Sequence, residues 1–268
     1  MIHLRRLGGL FVGMILVFLV ADHGVTASKP GTPMGLLVPA YFDPEGDPLD
    51  WSRLVAAAKV VPLTVILNPN SGPGRKQDPL LKSFDNAIRK NGGRVIGYIS
   101  TSYGNRPLSQ VFADINVYLA FYPLDGFFID EMTNDSLVSD LNYYASIYHY
   151  IKARSPNFTV IGNPGAPTVE GYFTHITADV IIEYEDLEAT FLCFDPPGWN
   201  LKYPASRFGQ IVYGAAPADL HEILADMQLL HAGMVYVTDD AGRDGNAYER
   251  LPVFWQAELS AVEALTTH

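Results

Sequence analysis

Gly126-Phe127-Phe128-Ile129-Asp130-Glu131 is an unbroken apolar run that ends in two adjacent carboxylates. Continuous hydrophobicity is what a strand covered on both faces requires, whereas a strand with one wet face would alternate. Runs of the same kind recur on either side of it: Gly35 to Tyr41, Leu63 to Asn68, Val95 to Thr101, Thr159 to Asn163, Val180 to Glu185, Gln210 to Tyr213 and Met234 to Thr238. Between them lie segments with helical apolar spacing, Leu80 to Lys90, Leu108 to Tyr122, Leu137 to Ala153, Ala218 to His231 and Phe254 to Leu265. Gly92-Gly93 and Gly233 stand where helix C-caps belong. The helices after the first and sixth strands read as short or interrupted, the latter by Pro196-Pro197-Gly198. Eight strand-then-helix repeats in a chain of 268 residues predict a single (β/α)8 barrel of α/β class spanning 34–268. A doubly wound open sheet would carry a Gly-rich phosphate turn after its first strand, and here that turn is Phe42-Asp43-Pro44-Glu45-Gly46.

Ahead of the barrel, Arg5-Arg6, an apolar run from Leu7 to Ala21, and Val25-Thr26-Ala27 form the pattern of an export signal, residues 1–27, followed by a linker, 28–33. The apolar run is shorter than the roughly 20 residues that span a bilayer as a helix, so a secreted or periplasmic product is expected rather than an anchored one. Cleavage would remove Arg5, Arg6 and Asp22 from 18 basic and 29 acidic residues, leaving 16 and 28 and a formal charge of −12. Such a charge disfavours nucleic acid and anionic membranes as partners. It keeps a monomer soluble and permits a neutral or cationic substrate. Cys193 is the only cysteine, which excludes an intrachain disulfide and a Cys-rich metal site.

Barrels of this type build their sites at the carboxyl ends of the strands, and those ends are polar here. In chain order they present Tyr41 and Asp43, then Asn68, then Tyr98, Ser100 and Tyr103, then Asp130 and Glu131. Asn163, Glu183 with Glu185, Tyr213 and Asp239 follow. Two charges at the end of a wall strand are costly unless paired or used, which makes Asp130 and Glu131 the leading candidates. On strand six a period of two places Glu183 and Glu185 on one face, and Glu185 is favoured because it lies nearer the rim. Hydrolysis of a glycosidic bond needs one carboxylic acid to protonate the leaving oxygen and one carboxylate to act as nucleophile or base. Carboxylates from strands four and six can face each other across the mouth, and their separation would distinguish retention from inversion. Tyr41, Phe42, Tyr98, Tyr103, Tyr184, Trp199 and Tyr213 near the same rim are able to stack on sugar faces.

Other signals carry less. Asn68-Pro-Asn-Ser-Gly-Pro-Gly-Arg-Lys76 has the glycines of a phosphate loop but not its Gly-Lys-Ser/Thr ending. Ala241-Gly-Arg-Asp-Gly245 sits where some barrels bind phosphate, without a matching loop after strand seven. No histidine ends a strand or pairs at metal-ligand spacing, so neither a metal nor a cofactor is expected.

Six segments together carry a resemblance: Leu36-Leu-Val-Pro-Ala-Tyr-Phe42, Val65-Ile-Leu-Asn-Pro-Asn-Ser-Gly-Pro-Gly74, Val95-Ile-Gly-Tyr-Ile-Ser-Thr-Ser-Tyr-Gly104, Gly126-Phe-Phe-Ile-Asp-Glu131, Gly162-Asn-Pro-Gly165 and Ala178-Asp-Val-Ile-Ile-Glu-Tyr-Glu-Asp186. In this order they resemble the spherulation-specific (spherulin 4) proteins and the related endo-galactosaminidases of glycoside hydrolase family 135. The resemblance implies a barrel that cleaves α-1,4-linked galactosamine or N-acetylgalactosamine in a microbial exopolysaccharide, cationic where its amines are free. It also implies that Asp130, Glu131 and Glu185 are the catalytic carboxylates. Glu183 departs from the family pattern, which has an apolar residue there. A barrel of the same shape that binds carbohydrate without cleaving it is the alternative.

Overall fold

The structure, a computed structural model, describes residues 34–243 and 245–266. The expected export signal and linker lie outside the described residues. Eight parallel strands close into a barrel in sequence order, β1 (Gly35–Ala40), β2 (Leu63–Leu67), β3 (Arg94–Ser100), β4 (Gly126–Asp130), β5 (Thr159–Gly162), β6 (Val180–Leu187), β7 (Phe208–Tyr213) and β8 (Met234–Val237). β8 returns to β1 through the Gly35/Met234 and Leu36/Val235 pairs. Each of the eight runs named from sequence is one of these strands, and apart from a few end positions their residues are buried.

Helices α1 (Pro48–Ala57), α2 (Pro79–Lys90), α3 (Leu108–Phe121), α4 (Val138–Lys152), α7 (Leu220–Leu229) and α8 (Trp255–Thr266) surround the barrel, with single turns α5 (Gly171–Thr174) and α6 (Glu188–Phe191). α2 shows how sequence sets a boundary. Asp78 accepts the backbone N–H groups of Leu80 and Leu81, Pro79 enters the first turn where its missing donor costs nothing, and Gly92 leaves it at φ 96°. α1 is longer than the interrupted helix expected after strand one. Pro48 sits at its start rather than inside it, and Trp51, Leu54 and Ala57 bury one face.

The fifth and sixth helices are reduced to one turn each. A cluster of Phe173, Trp199, Tyr203 and Phe208 covers that flank instead, with ring centroids 4.8 to 5.4 Å from Phe173. Arg207 lies over the Phe173 ring at 4.4 Å and donates to the carbonyls of Ala178 and Asp179, which ties the patch to the start of β6.

β6 departs from regular alternation. Ile182 pairs with Gly209 and Tyr184 pairs with Gln210, so Glu183 is an extra residue against β7. This corrects the expectation that Glu183 and Glu185 share a face. Glu183 turns outward beneath the helix layer, where Gln210 donates to it at 3.3 Å and also reaches the carbonyl of Leu230. Past the bulge the alternation restarts, Tyr184 packs outward on Phe191 and Phe194, and Glu185 points into the barrel mouth.

Candidate active site

Adjacent carboxylates on one strand would point to opposite sides, and the backbone at β4 enforces a sharper separation. Glu131 has φ 53°, a left-handed conformation that costs a non-glycine residue about 1–2 kcal/mol. Ser102 and Tyr103 in the facing loop are left-handed too, at 49° and 54°. The three are locked together. Tyr103 N–H donates to the Glu131 carbonyl at 2.8 Å, and the Thr101 hydroxyl donates to the carbonyls of Asp130 and Glu131 at 2.9 and 2.8 Å. Glu131 Oε2 accepts Ser100 Oγ at 2.5 Å and the Ser102 N–H at 3.1 Å. Glu131 is thereby folded back over the end of β3, and Asp130 is left to face the barrel axis. Strained backbone of this kind persists where the surroundings over-determine it, a recurring property of functional sites.

Asn163 joins Asp130 to β6. It continues β5 by one residue, with its N–H on the Ile129 carbonyl and its own carbonyl accepting from Met132. Its side-chain oxygen accepts the Gly165 N–H at 3.0 Å, which fixes the amide so that Nδ2 faces the acids. Nδ2 then donates to Asp130 Oδ1 at 2.7 Å and to Glu185 Oε2 at 2.5 Å. Gly165, at φ 61°, accepts the Glu185 N–H at 3.0 Å, and a Cβ on it would stand 3.4 Å from that of Glu185. The Gly162-Asn-Pro-Gly165 segment is thus a cradle for Glu185.

Tyrosines surround the pair. Tyr248, from the loop after β8, donates to Glu185 Oε1 at 2.5 Å. Tyr41 makes edge contacts with Tyr98 at 5.7 Å and with Tyr248 at 5.6 Å. The two acids tell on one another. Burial and the charge of Asp130 push Glu185 up to about 7, against the opposing hydrogen bonds from Tyr248 and Asn163. Burial raises Asp130 above the ordinary carboxylate range as well, opposed by hydrogen bonds from Tyr98, the Glu131 backbone and Asn163. Burial, with the nearby Asp130 and Glu185 charges, holds the Tyr41 hydroxyl far above its usual range, so it stays neutral.

Above Glu185 a cleft of about 610 Å³ opens at the rim, lined by Tyr41, Asn68, Tyr98, Glu185, Tyr213 and Tyr248. Asn68 Oδ1 accepts the Gly72 N–H at 2.9 Å and so stiffens the proline-rich loop on one side. Tyr213 donates to Asp186 at 3.0 Å on the other. Tyr103 stands 60% exposed on the rim beyond Glu131. Several residues named from sequence stand elsewhere. Asp43 closes a local turn through the N–H groups of Glu45 and Gly46, both at 3.2 Å. Asp239 is tied by two bonds to Arg250, at 3.0 and 2.8 Å, and to Val253 N–H. Glu183 lies in the bulge, and Phe42, Tyr184 and Trp199 pack in the helix layer. Tyr248 was not among the sequence candidates, because it lies well beyond the end of β8, in a loop whose glycines read as a weak phosphate motif. Among the described residues no group of three or more His, Cys, Asp or Glu is placed to hold a metal ion. No helix among them is long and apolar enough to cross a membrane.

Fold and site together define a (β/α)8 barrel with an acidic, tyrosine-walled cleft at the carboxyl rim. Residues 35–262 match the sequence family described as spherulation-specific family 4, and the chain belongs to that family. Spherulin-4 of Physarum polycephalum is 33% identical over 253 residues, which span 90% of this chain and 73% of that protein. Among solved structures, Aspergillus clavatus Sph3, crystallised in complex with GalNAc, superposes with a TM-score of 0.74 at 22% identity, covering 88% of this chain and all of that one. An α-L-fucosidase isoenzyme from Paenibacillus thiaminolyticus shares the barrel more distantly, with a TM-score of 0.56 and 11% identity over 87% of this chain and 49% of its own.

Proposed function

We propose that this protein is a secreted, endo-acting glycoside hydrolase that cleaves α-1,4-linked galactosamine or N-acetylgalactosamine in an exopolysaccharide. One observation carries the reading: a single fixed amide nitrogen, that of Asn163, reaches both Asp130 and Glu185, and Glu185 lines the cleft. The two oxygens bonded to that nitrogen, Asp130 Oδ1 and Glu185 Oε2, stand no further apart than the sum of the two bond lengths. So close a pair supports the retaining arrangement, with carboxyls about 5–5.5 Å apart, over the inverting one at roughly 6.5–9.5 Å. Membership of the spherulin 4 family and the GalNAc in the Sph3 crystal support the choice of sugar.

Asp130, raised by burial but with hydrogen bonds from Tyr98, the backbone of Glu131 and Asn163 favouring its ionised form, is the nucleophile at the anomeric carbon. Glu185, holding a proton to about pH 7, delivers it to the leaving glycosidic oxygen as the bond from that oxygen to the sugar breaks. Glu185 then takes a proton from the water that hydrolyses the glycosyl-Asp130 ester. Glu131 serves this pair by fixing the β3 and β4 ends around Asp130. With a formal charge of −11 on the whole chain, a partly deacetylated, cationic polymer is drawn in by long-range attraction that salt screens.

The test is reducing-end release from galactosamine-containing polymers by wild type, Asp130→Asn, Glu131→Gln and Glu185→Gln. Asp130→Asn and Glu185→Gln are expected to abolish release, and NMR of the first product should show the α anomer. Undiminished release by all three variants would remove the site assignment. Tight binding of oligosaccharide by wild type without any cleavage would make the protein a carbohydrate-binding barrel instead.

A further inference from the structure

Glu185 has one donor on each oxygen, Asn163 Nδ2 on Oε2 and the Tyr248 hydroxyl on Oε1. The two donors differ in kind. An amide NH2 only donates, and this one cannot turn round, because its oxygen is held by the Gly165 N–H. A phenol hydroxyl donates or accepts. Of the two partners only the Tyr248 hydroxyl can accept, so the hydrogen-bonded place for a proton on Glu185 is Oε1.

We infer that Tyr248 is a positioning residue for the acid step, its hydroxyl accepting from protonated Glu185 Oε1 and reversing to donate once Glu185 has given up its proton. The inference rests on the glycosidase reading and adds to it the oxygen that carries the proton and the group that answers its loss. In the step itself the Oε1–H turns from Tyr248 to the glycosidic oxygen, the Oε1–H bond breaks, and its proton goes to that oxygen. The anomeric carbon–oxygen bond breaks with its electron pair on that oxygen, and a bond from Asp130 to the anomeric carbon forms. The Tyr248 O–H turns back onto the new carboxylate.

The packing around Tyr248 suits this role. It is 8% exposed, its ring lies edge-on to Tyr41 at 5.6 Å and 6.3 Å from Tyr236, and its hydroxyl is kept neutral by burial next to Glu185. The titratable groups that face Glu185 are Asp130 from β4, Tyr41 just past β1, Tyr98 from β3, Tyr213 from β7 and Tyr248 itself. All are acidic in kind, so the donors rather than a cation balance the ionised form. Because Tyr248 rides on the loop that lines the cleft, the placement of that loop is coupled to the acidity of Glu185.

Two replacements of opposite effect test this. Tyr248→Phe keeps the ring and removes the bond that favours ionised Glu185. The alkaline limb of kcat/KM should move up by about one pH unit, the acid limb should stay, and kcat should fall. Replacement of Tyr248 by 2,3-difluorotyrosine keeps the shape and strengthens the donor, and should move the same limb down. A structural role would lower activity without shifting the limb in opposite directions. Infrared titration of 13C-labelled carboxyls, with Glu185 assigned by Glu185→Gln, reads the same two shifts without any substrate. Titrations of Glu185 that do not move, or that move the same way in both proteins, overturn the inference. Absence of cleavage by wild type overturns the glycosidase reading alone, since the infrared shifts are still measurable.

Discussion

Asn163→Leu is the most searching perturbation of this site, because one side chain is removed and two acids respond. Leucine has the same side-chain branching and heavy-atom count as asparagine and offers no donor. The bonds lost run from the amide N–H groups to two carboxylates, at 2.7 Å to Asp130 and 2.5 Å to Glu185, and are charge-assisted when the acids are ionised. Each such bond is worth about 1.5–3 kcal/mol to the ionised form, and 1.36 kcal/mol corresponds to one pKa unit, so each acid should titrate about one to two units higher. The acid limb follows ionisation of the nucleophile and the alkaline limb follows loss of the proton from the acid, as macroscopic steps of the pair. Both limbs of kcat/KM should therefore move up together, and at the acid end of the wild-type profile activity should fall about 10- to 100-fold. Tyr248→Phe, by contrast, moves only the alkaline limb. The Gly165 N–H also loses its acceptor, which should cost about 1–3 kcal/mol of stability and lower Tm by several degrees. A pH profile from wild type and variant, with Tm measured alongside, is the assay. Loss of activity with both limbs unmoved would refute the bridge.

Further outcomes follow from groups around the site. Glu258 is fully buried in α8, accepts the Val237 N–H at 2.8 Å, and is pushed by burial up to about 8. The folded chain keeps this proton while the unfolded chain releases it near pH 4.5. Stability should thus decline as pH rises from 4.5 to 8, by up to about 4–5 kcal/mol from this group. Glu258→Gln should flatten that slope, and a Tm difference between pH 5 and pH 8 equal to that of wild type would contradict it. Gly165→Ala places a Cβ in a left-handed turn beside Glu185, and should cost about 1–2 kcal/mol by chemical denaturation and lower kcat more than KM. An alanine variant as stable and active as wild type would show that the cradle is not needed.

The barrel was legible because its strands are covered on both faces, so each reads as an apolar run with a polar residue where it meets the rim. Asp130 and Asn163 could be named on that ground alone. The helix layer was less so. Three turns of α1 stand where a short or interrupted helix is expected, and the flank of the single turns α5 and α6 is covered by an aromatic patch whose members are scattered from 173 to 208. Within the site, alternation misled at β6, since a bulge has no fixed residue signature, and it assigned Glu183 to the face of Glu185. Tyr248 escaped for a different reason. A loop residue reaches its partner by tertiary packing, and nothing local to Ala247-Tyr248-Glu249 announces the carboxylate 63 positions earlier that it meets.

The bulge in β6 also bears on how the chain tolerates insertions and deletions. Removing one residue from a barrel strand ordinarily turns everything after it to the other face. Here Ile182 opposes Gly209 and Tyr184 opposes Gln210, so excising Glu183 would join two stretches already in phase with β7 and leave Glu185 directed at the cleft. Excising Tyr184 instead would leave Glu183 to take its place opposite Gln210. A length difference of one residue in this strand is therefore compatible with an unchanged site, and comparison of distant barrels of this kind should permit a gap at 183 rather than slide Tyr184 into the place of the acid.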